Sequence, residues 1–245
     1  MNRILQNLKQ NWITYGFETL VVIAGILIAY SLNNWNEERK EEALESQYLE
    51  RLVIDLASDT SYYQRRIDNL KREETRLMEM IKEIYKEQKS LSDVKNLMAS
   101  AYITTEHLTT QNYTYIQLLN SGDLSVFTNE HLKTQIVNYY RENERATVHV
   151  KEYNESVTTT LLEVGNKVPI LKFIPANDDI FDSENMFNSR AWLWLNDVES
   201  YEFRAFENAY TYYIMRDRTF QELFKSLKDQ AKELINEINT TTNNR

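Results

Sequence analysis

The segment from Ile13 to Leu32 reads ITYGFETLVVIAGILIAYSL, and it decides the architecture because it is the longest apolar run in the chain. Glu18 is the only charged residue within it. At about 1.5 Å of rise per residue, a helix of this length spans about 30 Å, the thickness of the hydrocarbon core of a bilayer. The segment 13–32 therefore predicts a transmembrane helix.

A cleaved signal peptide is the alternative interpretation of this segment. Ala29-Tyr30-Ser31 resembles a small-x-small cleavage site. However, the apolar run is longer than the typical signal-peptide core of about 7–15 residues, and a polar helical sequence continues beyond it. We therefore favour an uncleaved anchor.

The flanks of the segment indicate its orientation. Residues 1–12 carry Arg3 and Lys9 but no acid, and their apolar residues share one helical face, which predicts an amphipathic helix at the inner interface. The other flank is net negative, so the positive-inside rule favours a cytoplasmic N-terminus and a periplasmic or extracytoplasmic domain on an inner membrane. Four aromatic residues are predicted membrane-interface anchors: Trp12, Tyr15, Tyr30 and Trp35.

One face of the predicted membrane helix is suited to contact another helix. Its residues are Glu18, Val22, Gly25 and Ala29. Small residues four apart let a second helix approach closely, and a carboxylate that faces lipid is costly. We expect the partner to be a second copy or another membrane protein. Snorkelling of Glu18 to the headgroups, or a proton or ion role, are the alternatives.

Composition restricts the function of the rest of the chain. The formal charge of -9 argues against nucleic-acid binding, since that requires a basic surface. The chain has no cysteine, only three histidines and none of the common catalytic motifs. We therefore expect no enzyme activity and no cofactor.

Glycine and proline are absent from residues 26–121, which indicates an almost entirely helical chain. Beyond the membrane segment, four amphipathic stretches are predicted. The first continues to about Lys89. The second begins after an N-cap at Ser92, is interrupted by a polar break at Thr104–Glu106 and ends at Gly122. The third begins after Thr128 or Asn129, and the last covers about 190–238. The fold class is therefore all-α, with a transmembrane helix followed by an antiparallel four-helix-type bundle over 33–238, a loop at 165–190 and a disordered tail at 239–245.

Each amphipathic stretch has one apolar face, which we call its seam, and two of these seams contain charged residues. Arg66 interrupts the seam of the first helix and Asp217 that of the last. Since these two helices have the longest seams, we expect them to pair, and we predict a buried ion pair between Asp217 and Arg66. The alternative is that both residues lie at the wet edge of the seams.

The loop contains an acidic run that is a candidate metal site. Its ligands would be Asp178, Asp179, Asp182 and Glu184. Oxygen ligands at this spacing suit calcium, but the run lacks the glycine and the distant glutamate of a helix-loop-helix calcium loop. We expect a solvated acidic loop rather than a metal site.

Two stretches carry a resemblance to a known family. GFETLVVIAGILIAYSLNNWNEER covers Gly16 to Arg39, and TYIQLLNSGDL covers Thr114 to Leu124. They resemble the N-terminal signature and a middle motif of a bacterial family of uncharacterised membrane proteins, in which a Gly-Glu pair precedes an LVVIGILIA-type run and an Asn-Asn-Trp-Asn-Glu motif. The departures are Phe17, which separates Gly16 from Glu18, and Ala24 before Gly25. The resemblance implies a single-pass inner-membrane protein and no known activity.

The sequence thus predicts a membrane-anchored helical interaction or scaffold protein of the bacterial envelope. The alternative is an extracytoplasmic ligand-binding or sensory domain, because helical bundles can hold small molecules between their helices.

Overall fold

A computed structural model describes residues 12–86, 89–174, 177–181 and 189–243. These residues form five α-helices and no strand, which confirms the all-α prediction. The helices are α1 (Trp12–Ile84), α2 (Leu91–Ser100), α3 (Tyr113–Ser121), α4 (Glu130–Gly165) and α5 (Tyr201–Asn243). Short 3-10 turns cover Asp123–Val126, Ile170–Phe173 and Ser189–Asn196. The predicted interfacial segment 1–12 lies outside the described residues except for the backbone of Trp12.

Helix α1 is one continuous helix of 73 residues, about 110 Å long at the usual rise. Its first part, from Gly16 to Asn33, has every side chain exposed. From Glu45 onward, one side of α1 is buried by the rest of the chain. The apolar window and the folded core therefore belong to the same uninterrupted helix, which ends at Ile84 rather than near Lys89.

The core consists of three groups of buried apolar side chains, which we call the proximal, middle and distal clusters in the order in which α1 enters them. From α1, α4 and α5 in that order, the proximal cluster contains Leu52, Ile136 and Leu234. The middle cluster contains Tyr63, Val150 and Phe224, and the distal cluster contains Leu77, Val157 and Phe206. Residue numbers rise along α1 and α4 but fall along α5. Helix α5 therefore runs antiparallel to both, and it packs along α1 as the seams predicted.

The segment between α1 and α4 returns along the core without forming one long helix. Helix α2 contributes to the distal cluster, Leu108 to the middle cluster and Leu118 of α3 to the proximal cluster. The residues between α2 and α3, 102–112, are not helical, and we call them the connecting segment. The predicted polar break at Thr104–Glu106 is therefore longer than expected.

Most helix ends follow local capping chemistry. Asn129 caps α4, as predicted, by accepting hydrogen bonds from the backbone of His131 and Leu132. Gly122 adopts a left-handed conformation with φ +77° after α3, also as predicted. The Ser92 prediction is wrong, because Ser90 forms a capping box with Asp93 and α2 begins at Leu91.

The last helix differs from its predicted range at both ends. Helix α5 begins at Tyr201, because residues 189–196 form a 3-10 turn that places Trp194 and Leu195 in the distal cluster. It continues to Asn243, through most of the segment 239–245 that the sequence assigns to a disordered tail.

Candidate functional site

A group of charged side chains lies buried between α1, α5 and the connecting segment. Arg216 is 1 % exposed and Asp217 is fully buried. The guanidinium of Arg216 donates to Oδ1 of Asp217 from Nε at 3.0 Å and from Nη2 at 2.7 Å. It also donates from Nη2 to Oε1 of Glu73 at 2.9 Å and from Nη1 to the carbonyl of Thr104 at 2.8 Å. Together with Arg66, whose side chain is 25 % exposed, the residues Glu73, Glu106, Arg216 and Asp217 form what we call the buried charge cluster.

The predicted ion pair between Asp217 and Arg66 is not formed. Asp217 pairs with its neighbour Arg216, while Arg66 pairs with Glu106, to which its Nε donates at 2.8 Å. The sequence expectation was wrong because Glu106 comes from the connecting segment, whose position no seam predicts. Both residues nevertheless belong to the same buried charge cluster.

The buried charge cluster holds one more acid than base, and this excess affects Asp217. Burial raises the pKa of Asp217 to about 7, although the adjacent Arg216 lowers it, while Glu73 and Glu106 raise it further. Its Oδ2 atom has no hydrogen-bond partner among the residues that the structure describes. A protonated Asp217 would make the five side chains neutral overall.

Carboxylates of α1 hold the connecting segment in place. Glu73 accepts hydrogen bonds from the backbone and the hydroxyl of Thr104. Farther along, Asp59 accepts from the backbone of Gln111 at 2.8 Å. Because a non-helical segment against a core must satisfy its backbone polar groups elsewhere, these carboxylates replace the hydrogen bonds that a helix would have made. Asp59 and Glu73, two polar residues of the α1 seam, therefore bind the connecting segment.

A second buried polar group surrounds Asp59. The hydroxyl of Tyr139 donates to Oδ2 of Asp59 at 2.8 Å, and the neighbouring Tyr63 donates to Asn143. Burial raises the pKa of Asp59 to about 6, although the bonds from Gln111 and Tyr139 lower it. These residues bind one another, so we assign them a structural role.

A cavity adjoins the buried charge cluster, and we call it the Arg216 cavity. Its volume is about 380 Å³, within the range of small-molecule sites. Apolar side chains of the connecting segment, α4 and the 3-10 region line it together with Tyr210, Tyr213 and Arg216 of α5; these apolar residues are Ile103, Leu161, Leu162, Ile170 and Ile174. The arrangement combines an apolar chamber with a buried guanidinium.

The other predicted site residues that the structure describes lie at its surface. Glu18, Val22, Gly25 and Ala29 are exposed along α1, as are Tyr30 and Trp35, whereas the side chains of Trp12 and Tyr15 lie outside the described part of the structure. In the acidic loop, Asp178 pairs with Lys95 at 2.7 Å and Asp179 is exposed. Asp182 and Glu184 lie outside the described residues. Within those residues, no group of three or more metal-ligating side chains occurs.

Sequence reasoning did not identify Arg216, the centre of the cluster. A signal was present, because Arg216 lies three residues after Tyr213 and four before Phe220, both in the α5 seam. Glu106 carried no such signal, since its burial depends on how the connecting segment packs.

The comparisons with known proteins identify a family of unknown function. Residues 18–187 match a family of unknown function, DUF6090, and the chain belongs to that family. No curated protein and no solved structure matches the chain significantly.

Proposed function

We propose that this protein is anchored in a membrane by the apolar part of α1 and holds its helical domain on one side of that membrane as an interaction or scaffold module, without enzyme activity. The observation that carries the proposal is the exposure of an apolar helix that continues into the core. Large side chains such as Phe17, Leu20 and Ile26 are each more than 60 % exposed. An apolar surface of this extent is unfavourable in water but suits a bilayer. Among the described residues, α1 is the one helix long and apolar enough to cross a membrane.

A charged spacer separates the anchor from the domain. Residues 35–43 are exposed and rich in charge, and burial begins near Glu45. Because α1 is continuous through anchor, spacer and core, a rotation or tilt of the anchor would be transmitted to the domain. The basic, acid-free N-terminal segment supports a cytoplasmic N-terminus and an extracytoplasmic bundle on the inner membrane.

The partner in the membrane would contact the face formed by Glu18, Val22, Gly25 and Ala29. A Cβ atom placed on Gly25 would meet nothing within 4 Å, so no contact with the described residues requires a glycine there. Glycine in a helix interior costs about 1 kcal/mol relative to alanine. A close approach by a second helix, from another copy or from another membrane protein, would account for this residue.

Anchoring is tested by alkaline extraction of membranes that contain the full chain. We expect the chain to stay in the membrane pellet, and the double variant Ile23→Lys/Ile26→Lys to leave it, because each central lysine costs about 2.5–3.5 kcal/mol of insertion. Recovery of a chain that begins near Leu32 would instead establish a cleaved signal peptide and contradict the anchor.

The contact face is tested by cysteine crosslinking, since the natural chain has no cysteine. Val22→Cys lies on the proposed face and Ala24→Cys is its control, about 200° away around the helix. Disulfide-linked dimers with Val22→Cys alone would support pairing of two copies, and a mixed crosslink would support another partner. Equal crosslinking at both positions would contradict a specific face.

The Arg216 cavity favours a second candidate function, a ligand-binding domain. Its test is native mass spectrometry of the full chain released from detergent. We expect a small molecule to copurify with the natural protein and to be absent from Leu161→Trp, in which the indole fills the cavity. The control is Leu119→Trp, a half-exposed position on α3 that does not line the cavity.

A further inference from the structure

The Arg216 cavity contains hydrogen-bonding groups that the fold does not use. A guanidinium has five N–H groups. Four of those on Arg216 donate to Asp217, Glu73 and Thr104, which leaves one Nη1–H without a partner among the described residues. Tyr210 also lines the cavity and is 2 % exposed, and its hydroxyl makes no hydrogen bond to the part of the chain that the structure describes. Both groups line the cavity, so they are available to donate hydrogen bonds to a molecule bound there.

The charges around Arg216 restrict the chemistry of that molecule. Two carboxylates, those of Glu73 and Asp217, already lie within ion-pair distance of the guanidinium. A ligand carboxylate would add a negative charge to a buried group that already has an excess of acid. A ligand ammonium would face the guanidinium itself, since neither Glu73 nor Asp217 lines the cavity. Burying either charged group without a counterion is costly.

The remaining walls of the cavity favour an apolar ligand body. Aliphatic side chains of the connecting segment, α4 and the 3-10 region line it together with the rings of Tyr210 and Tyr213, and its polar lining besides Arg216 includes Thr104, Thr105, Thr158 and Asn166. The guanidinium of Arg216 lies 4.9 Å from the centre of the Tyr213 ring, which holds it in place at the polar end.

We propose that the Arg216 cavity binds an uncharged small molecule with an apolar body and a carbonyl or amide oxygen, and that this oxygen accepts hydrogen bonds from Nη1 of Arg216 and the hydroxyl of Tyr210. This inference rests on the second candidate function, for which it names the ligand class.

Four fluorinated probes of similar shape test the proposal by fluorine NMR on the full chain in lipid nanodiscs: para-fluorobenzamide, para-fluorobenzoate, para-fluorobenzylammonium and para-fluorotoluene. Specific binding is the probe binding measured with the natural chain minus that measured with Leu161→Trp. The subtraction removes the signal from probe that partitions into the lipid. We expect the benzamide to bind about tenfold more tightly than each other probe, since each new hydrogen bond contributes about 0.5–1.5 kcal/mol.

Tyr210→Phe keeps the ring and removes the hydroxyl. This variant should lose about fivefold in benzamide affinity and leave fluorotoluene binding unchanged. If fluorotoluene binds as tightly as benzamide, or benzoate binds more tightly, the proposed ligand class is wrong while the cavity remains a ligand site. If no probe distinguishes the natural chain from Leu161→Trp, both this inference and the second candidate function are wrong.

Discussion

Asp217 shares its buried carboxylate with the residue that precedes it, Arg216, whose Nε and Nη2 both donate to the same Oδ1 atom. Consecutive residues of a helix point about 100° apart, so this contact requires the long arginine side chain to curve back towards its own helix. The consequence is that one guanidinium joins α5 to Glu73 of α1 and to the connecting segment at Thr104. We expect the stability of this junction to depend on the protonation of Asp217 and on the presence of Arg216.

The charge of Asp217 should make the stability of the fold depend on pH. Burial raises its pKa in the folded state to about 7, from 3.8 in its ordinary state. Between these values the folded state holds a proton that the unfolded state has lost, so the contribution is complete below about pH 4 and is lost as the pH rises through about 7. Asp217→Asn imitates the protonated form. Its stability relative to the natural chain should therefore increase with pH across this interval, by on the order of 4 kcal/mol.

Thermal unfolding of the full chain in detergent at several pH values measures this difference. Asp229→Asn, at an exposed position of α5, is the control for removing one negative charge from the helix. A difference between Asp217→Asn and the natural chain that stays constant with pH would contradict a raised pKa.

Removing the guanidinium should destabilise the fold strongly. Arg216→Met leaves the carboxylates of Glu73 and Asp217 buried without their cation, and we expect a loss of about 3–5 kcal/mol at neutral pH. Arg218→Met is the matched control, because Arg218 pairs with Glu74 at the surface and its side chain is 57 % exposed. That variant should lose at most about 1 kcal/mol in the same denaturation assay. Equal losses would mean that the buried charge cluster does not hold the junction together.

Two glycines should respond to alanine in opposite directions. Gly122 has φ +77°, where a Cβ atom is strained, so Gly122→Ala should cost about 1–2 kcal/mol. Gly165 ends α4 without a positive φ and has open space around it, so Gly165→Ala should gain about 0.5 kcal/mol. Urea denaturation monitored by circular dichroism compares the two, and a stabilising Gly122→Ala would contradict the left-handed conformation.

The start of α2 can be tested with two serines. Ser90→Ala removes the hydroxyl that accepts from the backbone of Asp93 at 3.2 Å, so it should cost about 1 kcal/mol. Ser92→Ala changes a position inside the helix, where alanine is the better helix former, so it should cost nothing. The opposite order of the two unfolding midpoints would restore the N-cap at Ser92 that the sequence suggested.

The features that the sequence predicted correctly are those that depend on neighbouring residues. The seam of α1 from Leu49 to Ile84 is almost wholly buried, because helical periodicity alone decides which residues share a face. The end of α3 at Gly122 and the cap of α4 at Asn129 also follow from local backbone chemistry. The apolar run 13–32 could be recognised from composition alone, because it does not depend on contacts with other parts of the chain.

Only the tertiary structure decided which polar residues meet. Asp217 and Arg66 both interrupt apolar seams, but their partners depend on side-chain conformations and on a segment that is distant in sequence. Glu106 reaches Arg66 because residues 102–112 leave the helical conformation and receive their hydrogen bonds from Glu73 and Asp59. Local patterns therefore determined the helices and their buried faces, whereas long-range packing determined the charge pairs and the cavity between them, because pairing energies depend on distances that no local period encodes.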